Sequence, residues 1–488
     1  MTVEPSTPIS STLYADLLLD LQLKLFAESL RFNYYYAMDP GSTLPIGSST
    51  LTSSPAPVLC QDVIDCIIDC SDKKMLSTCS LVCRDWALHS QAQLLRSILL
   101  KEPDRFSKFM TALPALSQKA QLLIHELILG NYMTHIVSSS PITLSEEQLA
   151  LLLELLPNLS GLALDSVTLS SDFTQRRSNV PQRSLRSLHL FSVTNDAASW
   201  HSIREIIAFV SHFESIGTMH ISINPNRTWV ESWQDERTVA TIRADMSWAT
   251  NISSLPSPSS LILKGPATTH LHFMRFFRMS SNRHVLRKID LAVLDPDITA
   301  ELELLLKDNS ARMEHLALTF STNRHHNPFG ALKWTIDASL LTHLRTIRLR
   351  YLVHIEHYEL LVELSLRRWM QLLYFLDHFS SAPVEFIIFD LYIAFMPCPT
   401  SSATADDRRR ILAPLSWTKF GAALQSFKNL KKVHVRLSLF DHKERSFAVE
   451  YLELVAKGLG SLKAEGKAVF DWQYYDKTER RIEEFRFP

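Results

Sequence analysis

The sequence predicts an α/β protein in which a short N-terminal helical segment is followed by a long series of strand–helix units. Three observations support this prediction. A six-residue pattern, L-x-x-L-x-L with aliphatic or aromatic substitutes, recurs along the C-terminal part of the chain. Apolar runs with helical spacing precede several of its copies. A cysteine-rich stretch near residue 70 also has apolar residues at helical spacing.

The six-residue pattern occurs nine times, and its starts are separated by 26, 31, 42, 28, 27, 31, 40 and 46 residues. One strand and one helix cannot bury their apolar faces alone, whereas stacked copies share a continuous core. This period is typical of leucine-rich repeats, so we expect an irregular leucine-rich-repeat-like solenoid. The copies are LSGLAL (159–164), LRSLHL (185–190), IGTMHI (216–221), PSSLIL (258–263), LRKIDL (286–291), MEHLAL (313–318), LRTIRL (344–349), VEFIIF (384–389) and LKKVHV (430–435).

Changes in composition predict four parts in the chain. An amphipathic helix and a Ser/Thr/Pro-rich linker occupy 1–57, a helical domain 58–100, a helical connector 101–155 and the repeat domain 156–488. The first helix either packs on the body or lies on a membrane surface, and its acidic polar face favours the body. Long insertions are expected at about 224–257, 350–383 and 391–429.

Charge and hydropathy argue against two classes of partner. Lys plus Arg (50) nearly balances Asp plus Glu (51), so no global field attracts nucleic acid or an anionic membrane. The run Arg408–Arg410 is interpreted as a solvated loop rather than a nucleic-acid contact. No run of about 18 apolar residues predicts a membrane span. We therefore expect no nucleic-acid and no membrane partner.

Five of the six cysteines lie between Cys60 and Cys83. Spacings of four residues place Cys66 with Cys70, and Cys79 with Cys83, on common helix faces. Such pairs can hold zinc, form disulfides or pack as small apolar residues, and the surrounding Ile, Leu and Val favour packing. So few cysteines in a chain of this length predict reduced thiols and a cytoplasmic or nuclear location.

Residues 58–100 resemble the F-box motif. The family opens with Leu-Pro-x-Glu, here Leu59-Cys60-Gln61-Asp62, so that Cys60 replaces the family's proline. After an aliphatic helix, a polar turn and a second helix comes the run aliphatic-Val-Cys-Arg-x-Trp, here 81–86 with the sequence LVCRDW. The form STCSLVCRDW is similar to that of large fungal families of F-box proteins.

This resemblance implies a three-helix bundle that docks on a Skp-type adaptor and, through it, on a cullin–RING ubiquitin ligase. An apolar surface is also expected on physical grounds, because a helical unit of about 40 residues cannot hide all its apolar side chains. The residues implied to contact the adaptor are Leu59, Cys60, Val63, Ile67, Ile68, Leu76, Leu81, Val82 and Trp86.

Basic side chains alternate with the core residues of several repeats, so they should share the outward face of the strands. Arg, Lys and His on such a face can bind a carboxylate or a phosphorylated segment, or can simply be solvated. The candidate client-binding residues are Lys288, Arg348, Arg350, Lys432, His434 and Arg436.

The sequence contains no nucleotide-binding, nucleophile-elbow or zinc-protease motif. His325 and His326 are adjacent and are interpreted as a polar loop. We therefore expect no enzyme, cofactor or metal, and predict the substrate-recognition subunit of an SCF-type ubiquitin ligase. One alternative is a repeat scaffold without a ligase role, in which the F-box-like segment only caps the repeats. The other is an enzyme with an unrecognised site in 391–429.

Overall fold

A computed structural model of the 488-residue chain forms two compact units. The first comprises residues 1–98 and 117–124, and the second comprises 99–116 and 125–488. The structure describes residues 68–69, 71, 73–82, 84–130, 141–170, 173, 183–191, 201–222, 256, 258–264, 267–279, 285–291, 296–321, 334–355, 358–395, 412–413, 415–439, 445–475 and 482–486.

Helices and strands alternate along most of the described chain. The helices are α1 (Lys73–Cys79), α2 (Arg84–Arg96), α3 (Pro103–Ala112), α4 (Gln118–Leu123), α5 (Glu146–Leu155), α6 (His201–Val210), α7 (Ala267–Met279), α8 (Pro296–Asp308), α9 (Tyr358–Phe379), α10 (Trp417–Gln425), α11 (Arg445–Gly458) and α12 (Gly460–Ala464). The strands are β1 (Ser97–Leu100), β2 (Glu126–Gly130), β3 (Thr143–Leu144), β4 (Gly161–Asp165), β5 (Thr168–Leu169), β6 (Arg183–Phe191), β7 (Phe213–Ser222), β8 (Ser260–Lys264), β9 (Lys288–Leu291), β10 (His315–Ser321), β11 (Thr346–Ile355), β12 (Phe386–Phe395), β13 (Lys432–Leu439), β14 (Ala468–Tyr475) and β15 (Ile482–Arg486).

In the part of the chain that the structure describes, thirteen strands form one sheet in the order β1-β2-β4-β6-β7-β8-β9-β10-β11-β12-β13-β14-β15. Neighbours from β2 to β14 are parallel, and β15 is antiparallel to β14. Strands β3 and β5 form a small separate parallel pair. The predicted α/β class is therefore confirmed as a large, mostly parallel sheet with helices between its strands.

All nine copies of the six-residue pattern lie in this sheet, one in each strand from β4 and β6 through β13. A shared backbone contact fixes where most of these strands begin. The residue before a strand accepts, through its carbonyl oxygen, hydrogen bonds from two successive N–H groups of the next unit. The acceptors that show this pattern are His125, Ser160, Ser259, Arg287, Glu314, Arg345 and Glu385, with N–O distances of 2.7 to 3.1 Å. We call this series the carbonyl ladder.

The two faces of the sheet differ in burial. In β11 the side chains of Ile347, Leu349, Tyr351 and Val353 are all 0% exposed. Alternate residues such as Arg348 are only half-buried. A similar alternation begins each of the strands from β6 to β13, because successive side chains of a strand point to opposite faces. Thr319, Asp390 and Ser438, further along β10, β12 and β13 on the same side, are buried. We call the half-buried side the open face.

Local signals explain several helix starts. In α5, the Ser145 side chain accepts from the backbone N–H of Gln148, and the Gln148 side chain accepts from the N–H of Ser145. This capping box satisfies backbone donors that the first turn of a helix leaves unpaired. Helices α5 and α8 lie where apolar runs before the first and sixth repeats predicted them.

Three features differ from the sequence-based expectation. The connector 101–155 was expected to be helical, but it also contains β2 and β3. Residues 350–383 were expected to form an insertion, and instead continue β11 and form the 22-residue helix α9. Strands β14 and β15 extend the sheet beyond the last copy of the pattern. Short apolar runs such as that of β2 do not distinguish a strand from a helix by periodicity alone.

Candidate interaction surfaces

The first unit exposes apolar side chains in the turn that joins α1 to α2 and on the two helices themselves. Leu81 is 72% exposed and Val82 is 60% exposed, and both lie in that turn. Met75 on α1 and Leu88 on α2 are each more than half exposed. A unit with four large apolar side chains that are each more than half exposed has a surface suited to a protein partner. We call these four residues the turn patch.

The first unit contains both buried side chains and a group of exposed hydrogen bonds to α2. Ile68, Leu76 and Cys79 are almost completely buried, and Cys79 is a free thiol. The Asp69 carboxylate lies 3.0 Å from His89 Nε2 and accepts a 2.7 Å hydrogen bond from Gln93 Nε2, both on α2. The hydrogen bond from His89 lowers the pKa of Asp69 below its ordinary value.

The predicted adaptor contacts separate into three groups. Leu81 and Val82 are exposed, and Trp86 is half-buried. Ile68 and Leu76 are buried, because their side chains form the apolar core of the unit rather than its surface. Their contact with an adaptor stays a prediction. Leu59, Cys60, Val63 and Ile67 lie outside the described residues.

The open face of the second unit carries a network of charged side chains. Arg350 on β11 donates two hydrogen bonds to the Asp290 carboxylate on β9, at 2.5 and 2.9 Å. Arg348 Nε donates to Asp390 Oδ2 on β12 at 2.6 Å. The hydrogen bond and charge of Asp290 raise the pKa of Arg350, although burial of the guanidinium acts in the opposite direction.

The network continues across β13 and β14. His434 Nε2 forms a hydrogen bond with Asp471 Oδ2, and Arg436 Nε lies 3.8 Å from the same oxygen. Strand register places Arg350, Asp390, Arg436 and Asp471 side by side on four successive strands. Charges of alternating sign opposite each other stabilise neighbouring strands.

Four of the six predicted client-binding residues therefore have acidic partners within the chain: Arg348, Arg350, His434 and Arg436. Sequence reasoning did not identify Asp390 and Asp471 as these partners. Arg350, Asp390 and Arg436 each directly follow the sixth residue of a repeat, so the sequence shows opposite charges at one repeat position. It does not identify the ion pairs, because Arg350 pairs with Asp290 and Asp390 pairs with Arg348, each at the fifth position of a repeat.

Lys288 and Lys432 differ from these four residues. Both are exposed at the first position of their strands, and no carboxylate within the described part of the chain forms an ion pair with either. Register places them in one row that runs Lys288, His315, Thr346, Phe386, Lys432 from β9 to β13. Phe386 is 40% exposed. We call these five residues the lysine row.

No protein-family model matches the chain, and no curated protein matches it. The interpretation of the turn patch and of the open face therefore depends on their residues alone.

An aromatic cluster lies elsewhere on the open face, on β6 and β7. The Phe191 ring contacts the His220 ring edge-on at 4.7 Å between centroids, and His189 lies within 6 Å of both. Burial, with Lys264 and His189 nearby, lowers the pKa of His220 to about 4. His220 is therefore neutral at pH 7, and the cluster is an apolar part of the face.

Among the described residues, no group of three or more His, Cys, Asp or Glu side chains is arranged to hold a metal ion. Within the same ranges, no helix has both the length and the apolar character needed to cross a bilayer. The described surfaces are suited to binding partners by apolar contact and by charge.

Proposed function

We propose that this chain is the substrate-recognition subunit of an SCF-type cullin–RING ubiquitin ligase. The F-box-like helices bind a Skp-type adaptor, and the repeats bind a client protein. The chain supplies no chemistry of its own. It raises the effective concentration of a client lysine near the ubiquitin carrier, which converts a bimolecular encounter into a local one.

The observation that carries this proposal is the exposure of Leu81 and Val82. They belong to the run LVCRDW, the part of the sequence most similar to the F-box motif. Ile68, Leu76 and Cys79 of the same unit are buried, whereas Leu81 and Val82 are exposed. Exposed apolar side chains of this kind are typical of surfaces that a partner protein covers. The proposed adaptor interface is therefore the turn patch, with Trp86 at its margin.

The finer architecture belongs to the same proposal. We infer a three-helix F-box bundle followed by an irregular leucine-rich-repeat solenoid. The carbonyl ladder supports the solenoid, because it repeats one backbone contact at intervals that match the sequence pattern. Stacked repeats of this kind present extended surfaces for partner proteins.

The test is co-purification of the full chain with a Skp-type adaptor. The double variant Leu81→Asp/Val82→Asp should reduce adaptor binding by about 30-fold or more, since disrupting a central interface anchor costs about 2 kcal/mol or more. Both side chains are exposed, so the variant should fold. The matched control is Leu454→Asp, because Leu454 is 51% exposed on α11 in the other unit.

Equal adaptor capture by the wild type and the Leu81→Asp/Val82→Asp variant would contradict the proposed interface. If the folded wild-type chain captures no adaptor at all, the ligase role fails. The repeat scaffold without a ligase role then becomes the better account of the chain.

A further inference from the structure

We propose that the lysine row binds an acidic peptide segment in which two carboxylate groups flank one apolar residue. Lys288 and Lys432 receive the carboxylates, and Phe386 receives the apolar side chain. The role of the lysine row in recognising the client of a ligase rests on the proposed function. The binding of such a peptide does not.

The first argument is the state of the open face. Parallel sheets normally have both faces covered, because the crossover connections place helices over them. Here one face of β9 to β13 is half-buried or exposed at the lysine row, and its side chains are polar or charged around an exposed Phe386. A face of this kind is available to an extended ligand.

The second argument is charge. Deeper on the face, Arg348, Arg350 and Arg436 are balanced by Asp290, Asp390 and Asp471. At the lysine row the described charges do not balance. The residues just before the strands contribute three cations and two anions, namely Arg287, Arg345, Lys431, Glu314 and Glu385. With Lys288 and Lys432, the cations on this edge of β9 to β13 exceed the anions by three.

Spacing then constrains the ligand. Four strand intervals of about 4.8 Å separate Lys288 from Lys432, so their strands are about 19 Å apart. An extended peptide covers that distance in about six residues. Phe386 is on the strand next to Lys432, so the apolar residue should lie one or two positions from the second acidic group.

The chemistry favours a carboxylate peptide over a nucleic acid. Glu314 and Glu385 are interspersed among the cations and would repel a continuous phosphate backbone. A nucleic-acid site needs cations distributed along its path, since affinity comes from neutralising successive phosphates. Two separated lysines instead match two separated carboxylates.

His315 is the second residue of the row, between Lys288 and Thr346. Burial and the neighbouring Lys288 lower the pKa of His315. A neutral imidazole at this position adds no charge between the two lysines, so the ligand needs no third acidic group there.

The experiment is fluorescence anisotropy with the full chain and a labelled peptide of about eleven residues. The peptide carries one Glu, a Leu four residues later and a second Glu two residues after that, with Gly and Ser elsewhere. The double variant Lys288→Glu/Lys432→Glu should weaken binding by at least about tenfold, which is the effect of one lost charge-assisted contact. Phe386→Ser should weaken binding of the Leu peptide, but not of a peptide with Ser in place of Leu.

The matched control is Lys264→Glu, because Lys264 is exposed on the same sheet at the other end of its strand. It should leave peptide affinity unchanged. Equal binding by the wild type and the Lys288→Glu/Lys432→Glu variant overturns the proposal. Tighter binding of a ten-nucleotide oligothymidine or of a phosphoserine peptide without Asp and Glu also overturns it.

The same variants separate this proposal from the ligase role. Lys288→Glu/Lys432→Glu should still capture the Skp-type adaptor, whereas Leu81→Asp/Val82→Asp should still bind the acidic peptide. A wild-type chain that binds the peptide but captures no adaptor contradicts only the ligase role. A wild-type chain that captures the adaptor but does not bind the peptide contradicts only the lysine-row proposal.

Discussion

Asp390 carries a buried charge whose neutralisation depends on its neighbours. Its side chain is completely buried, and Oδ2 accepts a hydrogen bond from Arg348, whose own side chain is 34% exposed. Asp390 Oδ1 is buried without a hydrogen-bond partner in the described part of the chain. A buried carboxylate that loses its cation costs far more than an exposed one, because water cannot replace the lost interaction.

We therefore predict that Arg348→Met lowers the free energy of unfolding by about 2–4 kcal/mol. This loss is somewhat smaller than that for an isolated buried charge, because the cations of Arg350 and Arg436 lie nearby. The control is Arg186→Met. Arg186 and Glu126 form an ion pair in which both side chains are solvent-exposed, so this change should cost less than about 1 kcal/mol. Chemical denaturation of both variants measures the difference, and equal losses would contradict the buried-charge argument.

At the scale of single elements, the end of β2 requires a glycine. Gly130 has φ of +99°, and a Cβ there would lie 1.7 Å from the carbonyl oxygen of Asp165 on β4. Gly130→Ala therefore forces the two strands apart as well as straining the backbone, and should destabilise the protein by about 2 kcal/mol or more. Thermal unfolding is the measurement.

Gly460→Ala is the matched control at the start of α12. A Cβ at Gly460 meets no atom within 4 Å, and alanine favours the helix by restricting the unfolded chain. This variant should be neutral or slightly stabilising. A loss of stability as large as that of Gly130→Ala would show that methyl addition, rather than the contact with Asp165, is responsible.

The strands were predictable from sequence to different degrees. The nine copies of the six-residue pattern identify strands because their apolar positions alternate with polar ones. The pairing of Arg350 with Asp290 was not predictable, because it depends on the register between strands 60 residues apart. Leu81, Val82, Ile68 and Leu76 were all predicted to contact an adaptor. Leu81 and Val82 are exposed, whereas Ile68 and Leu76 are core, because a helical pattern does not say which face a partner covers.

At the scale of the whole molecule, two histidines couple stability to pH. Burial lowers the pKa of His272 to about 4, with Arg275 nearby as a second cause, and His220 behaves in the same way. The ordinary histidine pKa of about 6.5 applies in the unfolded chain. Between pH 6.5 and 4 the unfolded state therefore binds protons that the folded state does not, so stability falls as pH falls.

His272, which is buried, should contribute a slope of up to about 1.4 kcal/mol per pH unit in that window. His220 is only half-buried, so its contribution should be smaller because solvent screens it. His272→Leu should remove one such contribution, which denaturant titrations at pH 6 and pH 5 can measure. Leu271→Ala is the control, because Leu271 is buried on the same helix but does not titrate. It should lower stability by a similar amount at both pH values. An unchanged pH slope in His272→Leu would contradict this account.

The carbonyl ladder has a consequence for how this chain tolerates changes in length. Each rung, meaning one carbonyl oxygen with its two N–H donors, fixes the start of the next strand, whether successive repeats begin 27 or 46 residues apart. Extra residues in a connecting segment therefore lengthen the loop between two such contacts and do not shift the strand register. Closing a longer loop costs only about 0.6 kcal/mol for each doubling of its length. Insertions and deletions between rungs can thus accumulate over generations while the lysine row stays aligned.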